Sequence, residues 1–492
     1  KELDLRDGDG RGYPGYFEQS AHESFQSRLL GLSVRDLRKQ EMMIRLSMGC
    51  NLPHMEESRY ICTKDLMETD RHIFAKGMTE ESGGASSEYP EEGDGYAIGK
   101  CPGREKDILE GITRHIAGLR VGLADCPEAH SCNLPWERPI FSRLNLSGPV
   151  LRVEAAGMNL YDGISGIAVL LAAVRSVCKT DEFDELYGAL TGEMFRYTGE
   201  CLAHKKERTL EGTGMFVGEG SVVYGYLLLY QAGGKAEYLD YARKHAEVVR
   251  EIVSRDIGYD LLSGNAGWIL VLLRLYRITA EERYLSDAVR AGETLWKKRT
   301  ELETGCGWIC SREKTPLAGM AHGNSGAVLA YAGLLEHTGS QEYTGRIRRL
   351  MEYEDSLYSA REENWLDLRV QKRAGSHSNA WCHGGSGILL SRVRLAGLAE
   401  LREDERVRVD IERGLKCLMK WEEDDSLCLC HGLAGKYLIM KECAQMLGRE
   451  DLAAESRRMR RRLLESVRIP VQEFYSTSLM SGIAGAGFAL SE

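Results

Sequence analysis

Two short motifs in the C-terminal part of the sequence combine metal-binding side chains with glycine turns. They are Trp-Cys-His-Gly at 381–384 and Cys-His-Gly at 430–432. Cys382, Cys430 and His431 offer the sulfur and nitrogen ligands that zinc prefers, whereas magnesium and calcium prefer oxygen. Because a zinc ion with three protein ligands keeps a fourth position for water or substrate, the motifs predict a catalytic zinc site.

Zinc at such a site can activate a thiol. A free thiol has a pKa of about 8.5 and is mostly protonated at neutral pH, whereas coordination stabilises the nucleophilic thiolate. Two alternatives stay open: the two cysteines are ordinary buried thiols, or Cys428 replaces Cys430 as a ligand. The recurrence of cysteine at one repeat position, each time followed by histidine, favours the metal site.

Three more polar residues lie close to glycine turns of this kind. His322 stands one residue before Gly323, and a pKa of about 6.5 suits a general acid or base, with capping of its own helix as the alternative. Asp260, four residues before Gly264, either orients His322 or a substrate amide, or caps the following helix. His383 follows the first zinc cysteine and either contacts substrate or supports the turn.

The glycine turns recur at the starts of apolar runs. Seven copies follow one another at intervals of 46 to 61 residues, beginning at positions 163, 218, 264, 323, 384, 432 and 482. The apolar runs, such as 268–273, predict inner helices that are buried on every side. Amphipathic segments between them, such as 236–253, predict outer helices with one buried face.

Seven such helix pairs predict an all-α fold, because each pair can bury its inner face only by stacking on its neighbours. Closure into a double ring, an α/α toroid, buries both ends of the stack, and an open superhelix is the alternative. The glycines are expected to permit positive φ before each inner helix and close approach of neighbouring backbones. In a ring, the fifth and sixth turns bring Cys382, Cys430 and His431 to one rim.

The chain is expected to have three parts. Residues 1–100 form an N-terminal flank, in which 78–95 is too poor in apolar residues to fold alone and is predicted to be a disordered loop. Residues 101–150 are interpreted as a helical connector, and residues 151–492 as the zinc-binding toroid.

Composition excludes some classes of function. A net charge of -10 and a pI near 5.8 argue against a nucleic-acid surface, and the basic run Arg457–Arg462 is interpreted as a solvated helix face.

The fourteen cysteines are scattered, which favours a reducing, cytoplasmic setting, and Cys306 and Cys310 are interpreted as structural. We find neither a signal peptide nor an apolar run of the roughly 20 residues that a membrane span needs.

Together these motifs resemble the lanthionine synthetase C-like (LanC-like) cyclases. The resemblance covers about residues 150–492 and is carried by the motifs at 381–384 and 430–432, by His-Gly at 322–323 and by the seven glycine turns. The segment 32–47 also resembles the region ahead of the cyclase in class II, LanM-type lanthipeptide synthetases. Because the N-terminal dehydratase domain of those enzymes is missing, the chain resembles their C-terminal part.

The resemblance implies an α/α toroid with a catalytic zinc held by Cys382, Cys430 and His431. It further implies Michael-type addition of a peptide cysteine thiolate to dehydroalanine or dehydrobutyrine, which forms lanthionine or methyllanthionine thioether rings. His322 would protonate the resulting enolate, and Asp260 matches the aspartate of the family's third repeat. The implied partners are a dehydrated precursor peptide, with leader and core, and the dehydratase portion of the same synthetase.

The sequence departs from the family near the first zinc cysteine. Some stand-alone cyclases have an arginine four residues before it, where this chain has Ser378, and some have tyrosine in place of His383. Arg392, otherwise interpreted as structural together with Trp381, is the candidate to supply the missing charge.

Two other functions remain as alternatives. One is another thiol-activating zinc toroid, such as a zinc prenyltransferase, although no basic cluster for a diphosphate stands beside the motifs. The other is a non-catalytic helical scaffold that binds peptide around a structural zinc, against which the set of only three ligands argues.

Overall fold

The computed structural model describes residues 103–118, 120–121, 140–147 and 150–492, together with a few positions before residue 27. Short gaps within the last range fall at 205–209, 211, 255, 257, 311–312, 370–377, 422–425 and 469–475. Most of the flank 1–100, including the predicted loop 78–95, lies outside the described residues.

The described residues form fourteen helices, which fall into an inner and an outer set. In chain order they are α1 (Gly103–Gly118), α2 (Ile164–Cys178), α3 (Asp184–His204), α4 (Glu219–Gly233), α5 (Ala236–Ile252), α6 (Asn265–Thr279), α7 (Glu282–Lys297), α8 (Asn324–Thr338), α9 (Glu342–Ser356), α10 (Gly385–Ala396), α11 (Glu405–Leu418), α12 (Leu433–Leu447), α13 (Glu450–Ser466) and α14 (Ile483–Ser491). The even-numbered helices each begin one residue after a repeat glycine, and these are the inner helices.

The helices close into a ring. Each inner helix contacts the next, and the last of them, α14, contacts the first, α2. Six outer helices pack on the inner helix that precedes them in the chain, whereas α1 packs on α14 and so completes the seventh pair from the N-terminal side. The prediction of a closed α/α toroid is confirmed, and the open superhelix is excluded.

Burial separates the two sets as the hydrophobic patterns predict. In α6, Trp268 and Ile269 are buried, as are the apolar residues 271–273, whereas Leu270 is partly exposed towards the cavity of the ring. In α5, by contrast, only one stripe of residues, which includes Tyr238 and Val249, is buried. The Lys, Arg and Glu side chains of this helix are exposed or lie at the edges of the stripe. The apolar inner helices therefore form the continuous core of the ring.

Short strands occupy several connections. They are β1 (Leu5–Arg6), β2 (Gly12–Tyr13), β3 (Arg120–Val121), β4 (Ile140–Ser147), β5 (Val150–Ala155), β6 (Thr300–Glu301), β7 (Cys306–Gly307), β8 (Tyr358–Ser359) and β9 (Asn364–Trp365). Strands β3, β4 and β5 form an antiparallel sheet, and the other strands form antiparallel pairs.

This sheet corrects the expectation of a helical connector over residues 101–150. Helix α1 ends at Gly118, and β4 pairs with β5 in a register that sets Leu144 opposite Val153. The alternation of Leu144 and Leu146 with polar neighbours has the period of a strand, and Gly148-Pro149 stands between the two strands in the sequence.

A closed cycle of seven backbone hydrogen bonds links the seven glycine turns at one rim of the ring. Every member lies two residues before its repeat glycine, and each N–H donates to the carbonyl of the next turn. The donor–acceptor distances are Tyr161 to Phe216 2.9 Å, Phe216 to Leu262 3.1 Å, Leu262 to Ala321 3.1 Å, Ala321 to Cys382 3.1 Å, Cys382 to Cys430 3.3 Å, Cys430 to Met480 2.7 Å and Met480 to Tyr161 2.9 Å. We call these seven residues the rim cycle.

The repeat glycines are needed mainly because other backbone atoms lie very close to them, and less often because the turn requires positive φ. Of the seven that precede inner helices, only Gly218 and Gly384 have positive φ, whereas the others are extended. The expectation of positive φ at every turn is therefore wrong for five of them. At Gly435, for example, a Cβ atom would overlap the backbone carbonyl of Leu429, so the tight turn excludes any side chain.

The described part of the chain has no helix that combines the length and the apolar composition needed to cross a membrane.

Candidate active site and metal centre

Cys382 and Cys430 are adjacent members of the rim cycle, and their thiols hydrogen-bond to each other. Both residues are buried, with 5% and 3% of their surface exposed. The hydrogen bond from Cys430 lowers the pKa of Cys382; burial opposes this shift and the charge of His431 adds to it. The same hydrogen bond, together with burial, raises the pKa of Cys430. The pair therefore releases its first proton readily and its second with difficulty.

The third predicted ligand, His431, lies beside this pair. Its imidazole hydrogen-bonds to the Cys428 thiol, which is itself buried and also contacts the Ser426 hydroxyl at 3.3 Å. Within the described residues, no three His, Cys, Asp or Glu side chains already converge on one metal position. The structure brings Cys382 into contact with Cys430 and His431 into contact with Cys428, so it does not distinguish between the two proposed ligand sets.

His322 and Asp260 meet on the same rim. The Nδ1 atom of His322 lies 2.6 Å from an Asp260 carboxylate oxygen, and the His322 side chain is 35% exposed whereas that of Asp260 is 6% exposed. Burial acts to lower the His322 pKa, but the hydrogen bond and the charge of Asp260 outweigh it and raise the pKa above its ordinary value. The pair thus favours a protonated imidazole at an accessible position.

Asp260 also caps its own turn. Its carboxylate accepts the backbone N–H of Ser263 at 2.7 Å as well as the Ser263 hydroxyl at 3.1 Å. The interpretation that Asp260 orients His322 corresponds to a contact that it makes. The interpretation that it caps the following helix is wrong, because its partner Ser263 precedes the N-cap Gly264 and no side chain caps α6. The bonds from Ser263 fix the carboxylate on which the orientation of His322 depends.

His383 lies behind His322. It is 3% exposed, and the two imidazole rings are 5.8 Å apart between centroids. Burial, with the positive charges of Arg369 and His322, lowers the pKa of His383 to about 3, and its ring hydrogen-bonds to the Ala318 backbone. In this arrangement His383 is a buried, neutral group that packs beside His322.

Three side chains at the site were not singled out from the sequence as functional. The Tyr161 hydroxyl hydrogen-bonds to Cys430. The Cys310 thiol lies 3.3 Å from the His322 carbonyl and 3.9 Å from an Asp260 oxygen. The third of these residues is Arg369. The sequence could have indicated Tyr161, because it occupies the rim-cycle position of the first turn. Neither Cys310 nor Arg369 lies at a position that recurs in the repeats.

Arg392 does not supply charge to the rim. Its guanidinium is fully buried between helices, where it pairs with Glu354 and Asp410 at 2.9 Å each. The expectation that Arg392 replaces the family arginine is therefore wrong, because both of its carboxylate partners already neutralise it inside the fold. Trp381 packs edge-on against Phe216, with ring centroids 5.2 Å apart, in agreement with a structural role.

A cavity of about 640 Å³ lies along the axis of the ring. Trp381, Leu429 and Met480 line the end beside the rim cycle, while Arg277 and Arg394 lie towards the C-terminal ends of the inner helices. The residues that precede Cys382 and Cys430 thus close one end of an axial space with mostly apolar walls.

Comparison with known proteins agrees with this architecture. The family described as "Lanthionine synthetase C-like protein" matches residues 154–492. The "Lacticin 481/lactococcin biosynthesis protein LcnDR2" of Lactococcus lactis subsp. lactis is 28% identical over an alignment of 197 residues, and the match covers 36% of this chain. The match spans 20% of that curated relative's length.

Among solved structures, "Nisin cyclase" is similar with a TM-score of 0.52 and 18% sequence identity, covering 68% of this chain and 88% of that one. At this identity the likeness concerns the fold, which it shares with the ring described above. Since the family match extends over well more than half of the chain, the protein belongs to the lanthionine synthetase C-like family, and residues 154–492 are its lanthionine synthetase-type enzyme domain.

Proposed function

We propose that this protein is a zinc-dependent lanthipeptide cyclase. The observation that carries the proposal is the presence, on one rim, of two hydrogen-bonded buried thiols, Cys382 and Cys430, and of the His322–Asp260 pair. Thioether formation needs an activated sulfur and a proton donor, and this rim offers groups for both. Membership of the LanC-like family supports the same chemistry.

The donor set fits zinc by its chemistry. Two sulfurs in contact and an imidazole on the adjoining residue are soft and borderline ligands, and Cys382, Cys430 and His431 would hold the ion, with Cys428 as the alternative sulfur. When bound, zinc would stabilise the thiolate of a substrate cysteine at neutral pH.

The proposed reaction is the addition of a peptide thiolate to dehydroalanine or dehydrobutyrine. A carbon–sulfur bond forms at the β-carbon, the π electrons of the C=C bond move towards the adjacent carbonyl as an enolate, and the α-carbon then takes a proton. His322 is the proposed donor: Asp260 accepts its Nδ1 proton, which leaves the Nε2 proton for transfer. Its partly exposed side chain suits contact with a peptide.

The proposed substrate is a dehydrated precursor peptide, with leader and core, modified in the cytoplasm. The support is the curated relative, which is a biosynthesis protein for lacticin 481/lactococcin. Since the matched region is a fifth of that relative's length, we further propose that the dehydratase portion of one synthetase supplies the dehydrated residues.

Replacement of the ligands tests the proposal. We expect Cys382→Ala and His431→Ala each to lose bound zinc and ring formation together. Cys443→Ala is the matched control, since this thiol is buried in α12 away from the cluster, and it should keep both. Elemental analysis measures the metal, and alkylation followed by mass spectrometry measures cyclisation, because addition leaves the peptide mass unchanged but removes a free thiol.

Full cyclisation by the metal-free protein would contradict the proposal, as would a wild-type protein with no transition metal. A zinc-containing protein that binds the dehydrated peptide and consumes no thiol would instead identify the non-catalytic scaffold. Transfer of a prenyl group to the thiol, visible as added mass, would identify the prenyltransferase alternative.

A further inference from the structure

The glycine turns form the floor of the axial cavity. In five of the seven turns, the residue immediately before the rim-cycle member lines the cavity: Leu160, Met215, Trp381, Leu429 and Leu479. Cys382, Cys430 and His431 are not among the described residues that line it. The rim cycle therefore separates the cavity from the proposed metal donors.

A belt of large apolar side chains forms the wall. In six inner helices, the sixth residue after the repeat glycine lines the cavity and is partly exposed, although both of its chain neighbours are buried: Tyr224, Leu270, Leu329, Leu390, Leu438 and Phe488. We call these six residues the belt. Because the belt recurs at one repeat position, the cavity is a regular feature of the ring and not a local gap in its packing.

The size and chemistry of this space suit an apolar ligand. Its volume of about 640 Å³ falls within the roughly 300–1,000 Å³ that is usual for small-molecule sites. Water finds few hydrogen-bonding partners along a wall of Leu and aromatic side chains, so replacement of water by hydrocarbon is favourable.

The mouth of the cavity lies at the C-terminal ends of the inner helices and is charged. Arg277 and Glu336 are exposed there, and Glu336 pairs with Arg394 at 3.1 Å. Glu442 lines the cavity from α12, three inner helices away from α6 round the ring. An anionic group would therefore be repelled on the α12 side and attracted on the α6 side.

Two arginines of α6 offer donors to such a group. Arg274 and Arg277 lie one turn apart, and both line the cavity. The Nε atom of Arg274 is buried without a hydrogen-bond partner, although its Nη2 atom donates to the Gln231 side chain. Arg277 makes no hydrogen bond or ion pair within the part of the chain that the structure describes. Buried polar atoms are nearly always paired, so an unpaired guanidinium nitrogen at a cavity points to a ligand acceptor.

We propose that the axial cavity binds a long-chain carboxylate, with its hydrocarbon chain against the belt and its carboxylate on Arg274 and Arg277. The seven residues from Leu270 to Arg277 rise about 10 Å along α6, so the ligand needs an extended apolar part between belt and head group. A planar guanidinium binds a carboxylate through two parallel hydrogen bonds. The inference is independent of the proposed cyclase function, because the rim cycle lies between the two sites.

The test is calorimetric titration of the full chain with dodecanoate below its micelle concentration. We expect one saturable site, with a negative change in heat capacity from burial of the hydrocarbon chain. Dodecanol, which keeps the chain and lacks the charge, should bind about 10-fold more weakly, and dodecyltrimethylammonium should bind more weakly than dodecanol.

Two variants separate the wall from the head-group site. Leu270→Trp fills the belt and should abolish binding of both dodecanoate and dodecanol. Arg277→Gln should weaken dodecanoate about 10-fold and leave dodecanol unchanged.

The controls are exposed positions on the outer helix α11. They are Val409→Trp, for added aromatic volume, and Arg406→Gln, whose side chain pairs with Glu352 at 3.1 Å. Both should bind dodecanoate as the wild type does. Denaturant unfolding checks that each variant is folded, and Arg277→Gln tests the head-group site even where Leu270→Trp does not fold.

Absence of saturable dodecanoate binding by the wild type would overturn the proposal, as would wild-type affinity in folded Leu270→Trp. Equal dodecanoate affinity in Arg277→Gln and wild type, or tighter binding of the cationic probe, would overturn the placement of the carboxylate. Sedimentation with phosphatidylglycerol vesicles without binding of free dodecanoate would identify a membrane surface instead of a site for a free ligand.

Discussion

At the scale of residues, the surroundings of two histidines on one rim move their pKa values in opposite directions. His322 is partly exposed and paired with Asp260, which raises its pKa, whereas burial and two neighbouring positive charges lower the pKa of His383. Groups of one type whose environments separate their pKa values are typical of acid–base sites. The protonated, accessible member suits proton delivery, and the neutral, buried member suits support.

Asp260→Asn is expected to shift the pH dependence of cyclisation. With Asp260 present, His322 stays protonated to a higher pH than an unperturbed histidine, so loss of the carboxylate charge should move the alkaline limb of kcat/KM to lower pH. The other charged or titratable groups that act on His322, which include Cys382 and Arg369, are unchanged in this variant. The measurement is kcat/KM against pH for wild type and Asp260→Asn.

His322→Asn is the companion variant. It should abolish this limb and lower the rate about 10²- to 10⁴-fold while the zinc content stays that of wild type. An alkaline limb that stays in place in Asp260→Asn, or an unchanged rate in His322→Asn, would remove the pair from the mechanism.

At the scale of elements, the repeat position of Cys382 and Cys430 predicted that they are neighbours, but it did not predict the other side chains around them. Cys382 and Cys430 stand two residues before their glycines, so a ring of turns had to bring them side by side. Arg369 and Cys310 come from connections between an outer helix and the next inner helix, whose path no periodicity determines. Tyr161 has the right phase, but a tyrosine is an uncommon zinc ligand and so gave no chemical signal.

The sheet of β3, β4 and β5 was not predicted, although its pattern is present in the sequence. Its strand period is visible over residues 140–147, but the helical pattern of residues 108–123 favoured a helical connector over the whole of 101–150. The glycines likewise recur for a reason that spacing alone does not reveal. Most of them sit in extended backbone, and it is contact with the preceding turn that excludes a side chain.

Gly435→Ala is expected to destabilise the protein. A Cβ at this position in α12 would overlap the backbone of Leu429, which precedes Cys430, so the turn must shift at a cost of about 1–3 kcal/mol. Gly345→Ala in α9 is the matched control with the opposite sign, since nothing lies within 4 Å of its added Cβ. Alanine there should stabilise the helix by about 0.5–1 kcal/mol.

Denaturant unfolding measures both glycine variants. Equal midpoints for Gly435→Ala and wild type would show that the turn relaxes freely and that its glycine is dispensable.

At the scale of the whole molecule, the junction between the last inner helix and the first is covered by a helix that lies outside the matched family region. Helix α1 precedes residue 154, yet it packs on α14 and α2, where the two ends of the toroid meet. Ion pairs extend this closure to the outer ring: Arg460 of α13 pairs with Glu105, and Arg114 pairs with Glu182 just before α3, at 2.5 Å. The closure thus aligns the first and last turns of the rim cycle, in which Met480 donates to Tyr161.

Ile112→Ala tests whether α1 is part of the folded unit. Ile112 is fully buried and packs over Gly487 of α14, so its truncation should lower the free energy of unfolding by about 2–5 kcal/mol. Asp107→Ala, at an exposed position of the same helix, should change it by no more than about 0.5 kcal/mol. Since Tyr161 of the closing turn contacts Cys430, Ile112→Ala should also weaken zinc retention, measured by competition with a chelator. If both variants unfold at the wild-type midpoint, α1 is an appendage and the seven inner helices hold the ring without it.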